Sequence, residues 1–197
     1  MKKGTLVRIL MVAVIVVFTN TSCIKTYNEL VEAEESVTTE WANVESQYQR
    51  RLDLIPNLLS TVKGYAKHES ATLTAVVDAR AKATQITIDA DNLTPEKLQQ
   101  YQEAQGEVAS ALGRLMAITE SYPDLKANQN FMNLQEQLEG TENRIQVARQ
   151  KFNTTAQAYN TKVRRFPTSI IAWLFNFDKK SYFEADASAK NAPKVEF

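Results

Sequence analysis

The sequence predicts an all-α fold: an antiparallel up-and-down four-helix bundle with an N-terminal membrane anchor and a short C-terminal apolar segment. Three observations carry this. From Lys25 to about Arg165, apolar residues recur at three- and four-residue spacings, the period of one face of a helix. Glycine is scarce, five in 197 residues, whereas sandwiches and barrels need many turn residues. The opening MKKGTLVRILMVAVIVVFTNTSC has the three parts of an export signal: a basic start, an apolar run and a small, polar end.

The anchor comes first. Lys2 and Lys3 precede an unbroken apolar run from Ile9 to Phe18. A membrane-spanning helix needs about twenty apolar residues. The run spans only if Leu6 to Ile24 enters whole, with Arg8 snorkelling and Asn20 tolerated. Thr21-Ser22-Cys23 is similar to a bacterial lipobox, whose cysteine is lipidated, although Asn20 stands where leucine is usual. Lipidation at Cys23 and an uncleaved anchor both remain open. Cys23 is the only cysteine, so an internal disulfide is impossible. Either anchor keeps the basic end cytoplasmic and exports the rest, to the periplasmic or extracellular side of a bacterial envelope.

Residues 24–166 read as the bundle, and 167–197 as a short apolar helix with a loosely ordered tail. The first stripe is Leu30, Val37 and Val44 interleaved with Trp41, Tyr48 and Ile55. The second is Leu58/Leu59, Val62, Ala66, Leu73 and Val76/Val77; the third is Leu98, Tyr101, Val108, Leu112, Leu115 and Tyr122. The fourth runs from Phe131 through Leu134, Leu138, Ile145, Phe152 and Tyr159 to Val163. Four such stripes close around one another as a bundle.

The breaks between them are legible. Thr94-Pro95-Glu96 gives an N-cap, a first-turn proline and a first-turn acid. Tyr122-Pro123-Asp124 ends the third helix, Asn128 or Asn130 caps the fourth, and Phe166-Pro167-Thr168 ends it. Pro56 is read as the first turn of a second helix capped by Asp53, which makes a hairpin; one long kinked helix is the other reading. The hairpin is preferred because it gives four segments of similar length. Gly106 and Gly113, seven apart beside Ala109, Ser110 and Ala117, read as a smooth face for a close neighbouring helix, with a ligand groove as the alternative.

The chain carries few groups suited to catalysis or metal binding. Twenty-three basic residues balance 23 acidic ones. Three of the basic ones lie in the first 22 residues, so the remainder is slightly acidic, which argues against a nucleic-acid partner. A di-metal carboxylate site needs Glu-x-x-His pairs, yet His68 is the only histidine and Tyr65 stands three before it. Zinc has one cysteine and one histidine to use. No nucleophile elbow, phosphate loop or dinucleotide fingerprint is present. His68, between Lys67 and Glu69, reads as solvated. No enzyme activity and no cofactor are expected.

Five charges fall on or beside the apolar stripes: Arg51, Glu69, Arg80, Glu142 and Arg149. An unpaired buried charge costs several kcal/mol. These five are therefore expected to form an inter-helix ion-pair network, with Glu142 pairing with Arg51 or Arg80. Arg50, Arg51, Asp53 and Pro56 form a candidate partner-facing turn at the end far from the membrane. At the anchored end, Ile170, Trp173 and Phe175 either plug the base of the bundle, the preferred reading, or touch lipid.

RRLDLIPNLLSTVKGYAKHE, from Arg50 to Glu69, resembles the signature of the LemA family of bacterial membrane-associated proteins. YNELV, EWANVESQYQRR, FMNLQEQLEGTENRIQVARQKFN, and YNTKVRRFP followed by YFEA match the family's blocks in order. Many relatives carry a plain membrane-spanning anchor where this chain has a lipobox-like cysteine. The resemblance implies an antiparallel helical bundle beside a membrane, without enzyme activity or cofactor, and a link with envelope stress or membrane-protease systems. The expected function is an envelope-anchored interaction or scaffold protein with an unidentified envelope partner. The alternative is a periplasmic sensory domain binding a small ligand between helices, near Gly106 and Gly113 and lined by Tyr101 or Trp41.

Overall fold

A computed structural model describes residues 3–90 and 93–184, with side chains from Cys23 onward. The anchor run from Ile9 to Phe18 therefore has no side chains among the described residues. Among those residues no helix is long and apolar enough to cross a membrane. The described chain is all-helical: α1 (Lys3–Tyr65), α2 (Ser70–Gln85), α3 (Pro95–Thr119), α4 (Pro123–Lys126), α5 (Gln129–Arg164) and α6 (Thr168–Leu174). It divides into two compact units. One is Met1–Thr39 with Thr154–Lys180, and the other is Glu40–Asn153 with Ser181–Phe197.

The second unit buries parts of all four predicted stripes in one core. Leu52, Ile55, Leu58 and Val62 of α1 meet Val76, Ala79 and Ala83 of α2, and Val108, Ala111 and Leu115 of α3. Leu125 of α4 and Phe131 and Leu138 of α5 complete the cluster. Val77, paired with Val76 in the predicted stripe, is exposed instead. Above the aliphatic core, Trp41 packs against Tyr101, Phe152 and Phe183, with ring centroids 5.4, 5.6 and 5.9 Å away. Its indole N–H reaches the Ile88 carbonyl at 3.4 Å.

The caps follow local chemistry. Thr94 Oγ1 accepts from the Lys97 amide at 3.3 Å, with Pro95 in the first turn of α3. Asn128 Oδ1 accepts from the amides of Asn130 and Phe131 at 2.9 and 3.1 Å, and so caps α5.

The hairpin expected at Pro56 is not formed. α1 runs through this proline, and the chain reverses at Ala66–Glu69. An interior proline removes the N–H that would bond the carbonyl four residues back, at a cost of about 3 kcal/mol. Here that carbonyl belongs to Leu52, and Arg80 Nε of α2 donates to it at 3.0 Å. The orphaned acceptor is thus satisfied from a neighbouring helix. The buried stripe continues across the proline through Leu52, Ile55, Leu58 and Val62, so helix and core agree. The expectation of equal lengths fails with the hairpin, since α2 has 16 residues against 25 in α3 and 36 in α5.

In the first unit Leu30 and Val37 of α1 are buried, as are Ala156, Tyr159 and Val163 of α5 and Ala172 of α6. An extended segment after α6 lies on α5. The Asn160 side chain bonds the Lys180 backbone twice, donating to its carbonyl at 2.8 Å and accepting from its amide at 2.9 Å. Within the second unit, Asn153 holds Phe183 in the same way, with both bonds at 2.9 Å.

Candidate functional site

A heavily engaged polar side chain is Arg51, which is 3% exposed. α1 places it one residue before Leu52, with its guanidinium between α3 and α5. Nη1 donates to Glu142 Oε2 at 2.9 Å, and Nη2 donates to both the carbonyl and the side-chain oxygen of Gln105 at 2.8 Å. The guanidinium carbon lies 5.2 Å from the centre of the Tyr48 ring. Only Nε is without a partner. Glu142 is 44% exposed, so one end of the ion pair is wet and the other dry. Nearby, burial pushes the Tyr48 and Tyr101 hydroxyls and the Glu45 carboxyl above their ordinary values.

The five charges do not assemble into one network. Arg51 and Glu142 pair across 91 residues of sequence. Arg80 caps the Leu52 carbonyl instead of meeting a carboxylate. Glu69 accepts from the Tyr122 hydroxyl at 3.0 Å, and this bond pushes that hydroxyl's pKa up. Arg149 donates to the Glu184 carbonyl at 3.2 Å and stands 4.7 Å over the Phe183 ring. The expected pair of Glu142 with Arg51 is formed, whereas Arg80 and Arg149 are held by backbone oxygens and a ring face and Glu69 by a hydroxyl, none of which charge alone identifies.

The partner-facing turn also dissolves, because α1 is continuous there. Arg50, Asp53 and Pro56 are exposed on the helix, while Arg51 is buried. Asp53 caps nothing; it accepts from Gln49 Nε2 one helical turn back at 2.7 Å. The true reversal carries Lys67 and His68, both exposed. It is tied down on each side by Tyr65, which accepts from Asn128 at 2.9 Å, and by Glu69. Gly106 and Gly113 face open space, with nothing within 4 Å of an added Cβ. They therefore do not mark the close helix approach expected there.

A different surface appears in the first unit. Ile170, Trp173, Leu174 and Phe175 do not plug an interior; all four are exposed, Trp173 by 79%. Their outward direction is set by the end of α6. Asn176 adopts φ 57°, a left-handed conformation that asparagine tolerates, and the Phe177 amide returns to the Ala172 carbonyl at 2.9 Å. This closure buries Ala172 and Phe177 together and leaves the preceding residues outside. Tyr27 of α1 meets Phe175 and Phe177 edge-on, with centroids 4.9 and 5.6 Å away. Cys23, one turn earlier on α1, is a free, exposed thiol.

Sequence reasoning missed Gln105, Asn153, Asn160 and the Lys180–Glu34 pair, whose charged atoms are 2.7 Å apart. A signal for two of them was present. Asn153 and Asn160 are seven apart, each following an aromatic of the fourth stripe, Phe152 and Tyr159. Burial, with Glu34 close by, pushes the Tyr159 hydroxyl's pKa upward. Among the described residues no group of three or more His, Cys, Asp and Glu side chains could hold a metal ion.

Comparison with known proteins agrees with the signature. The chain is 26% identical to magnetosome protein MamQ 1 of Paramagnetospirillum magneticum over 179 residues, 80% of this chain and 64% of that protein. It is 26% identical to magnetosome protein MamQ of Magnetospirillum gryphiswaldense over 184 residues, covering 83% of this chain and 66% of that one. It thus spans just under two thirds of these relatives' length. Protein LemA of Metamycoplasma hominis is 24% identical over 158 residues, 80% of this chain and 68% of that protein. The profile of the LemA family matches residues 40–197, most of the chain and all of the Arg51 site, and the chain belongs to that family.

Proposed function

We propose that this LemA-family chain is a non-catalytic interaction or scaffold protein of a bacterial envelope. In this reading its helices close as an antiparallel up-and-down bundle, held at a membrane by the segment ending at Cys23, with the bundle on the periplasmic or extracellular side. One observation carries the reading: the charged groups that lie on or beside the apolar stripes bind the chain itself. Arg51 is engaged by Glu142 and Gln105, and Arg80 by the Leu52 carbonyl. Glu69 and Arg149 are engaged by Tyr122 and Glu184. These are the bonds of a framework that fixes helix register, and they leave the outer surfaces to do the work of recognition. A partner among envelope proteins, including stress or membrane-protease components, fits such a framework.

The test is made in cells producing the full chain. The protein should pellet with membranes and be degraded by protease added to spheroplasts. Photo-crosslinkers on the exposed faces of α3 and α5 should trap a discrete envelope protein. Recovery in the soluble cytoplasmic fraction, or protection from the added protease, would overturn the anchored, exported reading. Crosslinkers that trap nothing would overturn the scaffold reading.

A further inference from the structure

We propose that the α6 cap is a membrane-docking surface. Ile170, Trp173, Leu174 and Phe175 enter the interfacial layer of an anionic phospholipid bilayer, while flanking cations meet its headgroups. The inference rests on the anchored reading above and specifies what that anchoring brings into contact with lipid.

The four residues are consecutive or one turn apart, and each is more than half exposed. Soluble monomers seldom leave contiguous apolar patches of this kind uncovered. The cap is also preformed, since the Asn176 closure and the buried Ala172 and Phe177 fix its direction before anything binds. Little ordering is left for docking to impose.

Charge and chain path identify the occupant. Between Thr161 and Lys179 the cationic side chains are Lys162, Arg164, Arg165 and Lys179, all exposed, against Asp178 as the only acid. An exposed apolar segment flanked in sequence by exposed cations, with tryptophan on it, matches a lipid interface with anionic headgroups. Another protein's apolar surface would give those cations no general counter-charge. The path of α1 points the same way. Tyr27, in ring contact with Phe175, lies four residues after Cys23, about 6 Å of helix rise, and nine after the apolar run ends at Phe18, about 14 Å. Whether the chain is held by a lipid on Cys23 or by that run, the bilayer surface comes within a few turns of the cap.

The chain has two tryptophans, and only Trp173 is exposed, so its fluorescence reports on the cap. The full chain is reconstituted into phosphatidylglycerol–phosphatidylcholine vesicles whose acyl chains carry bromine near the headgroup. Bromine should reduce Trp173 emission about twofold, as expected for an indole at the interface. The W173F variant, checked by far-UV CD, should lose this quenching and retain the emission of Trp41. R164E/R165E, or vesicles of phosphatidylcholine alone, should weaken it. Protein that floats with the vesicles while Trp173 stays unquenched overturns the docking surface and leaves anchoring intact. Copy-to-copy crosslinks at an unquenched cap would name a second copy as the occupant and equally overturn it. Failure to float overturns the anchored reading, and the docking with it.

Discussion

Trp41 and Trp173 stand for two opposite solutions in one chain. Trp41, in the second unit, is 1% exposed, ringed by Tyr101, Phe152 and Phe183, and hydrogen-bonded through its indole nitrogen. Trp173, in the first unit, is 79% exposed on a seven-residue helix. The second unit turns apolar groups and even an arginine inward, and supplies each with partners. The first turns a row of apolar side chains outward and fixes them there. The difference separates residues that build the protein from residues that meet something else, although amino-acid type is the same at both tryptophans.

The contrast breaks most visibly at Trp41. Replacing it with alanine removes a buried indole and opens a cavity among three rings. Stability should fall by about 3–5 kcal/mol, measured by chemical denaturation. A loss below 1 kcal/mol would mean that the aromatic cluster is not a packed core.

Arg51 and Glu142 come next. E142A leaves the guanidinium buried without a carboxylate, held by Gln105 and the Tyr48 ring, which should cost about 2–3 kcal/mol. The lower end is the better expectation, because Glu142 is half in water and its attraction is screened. R51M/E142A should recover part of that loss by removing the stranded charge. If the double variant is less stable than E142A alone, the arginine's value lies in packing and its bonds to Gln105 rather than in the pair.

A smaller effect belongs to Arg80 and Pro56, and it sharpens the account of the long helix. R80M should cost about 1–2 kcal/mol in the native background, since it strips the Arg80 donor from the Leu52 carbonyl. In a P56A background the new amide at position 56 can bond that carbonyl, so the same R80M change should cost about 1 kcal/mol less. Equal costs in both backgrounds would show that Arg80 acts through some other contact.

This pair also shows what could be read from the sequence. The stripes were legible because helical periodicity is local: Leu30, Val37, Val44, Val108, Ile145 and Phe152 are buried as the spacing requires. Proline, too, has a local meaning, and it was read as a break. Its tolerance in α1 depends on an arginine 24 positions later on another helix, which no local rule contains. The five charges divide in the same way: Arg51 and Glu142 pair as expected, and the other three do not join them. Position identified them as inward-facing, but their partners are mostly backbone oxygens and ring faces, which carry no signature in sequence. The Asn153 and Asn160 clamps act on extended backbone and escaped notice because that segment has no period of its own.

The smallest expected effect on stability carries the sharpest version of the comparison. W173S removes the same type of side chain as W41A, yet Trp173 already has most of its surface in water. Its replacement returns little apolar area to solvent, so denaturation in aqueous buffer should shift by no more than about 0.5 kcal/mol. Ala172 and Phe177 remain buried, and Asn176 still closes the helix, so the cap should keep its shape. A loss near that of W41A would mean that Trp173 supports the fold. A near-zero loss in solution, accompanied by loss of lipid quenching at the cap, would separate the contribution of this residue to docking from any contribution to folding.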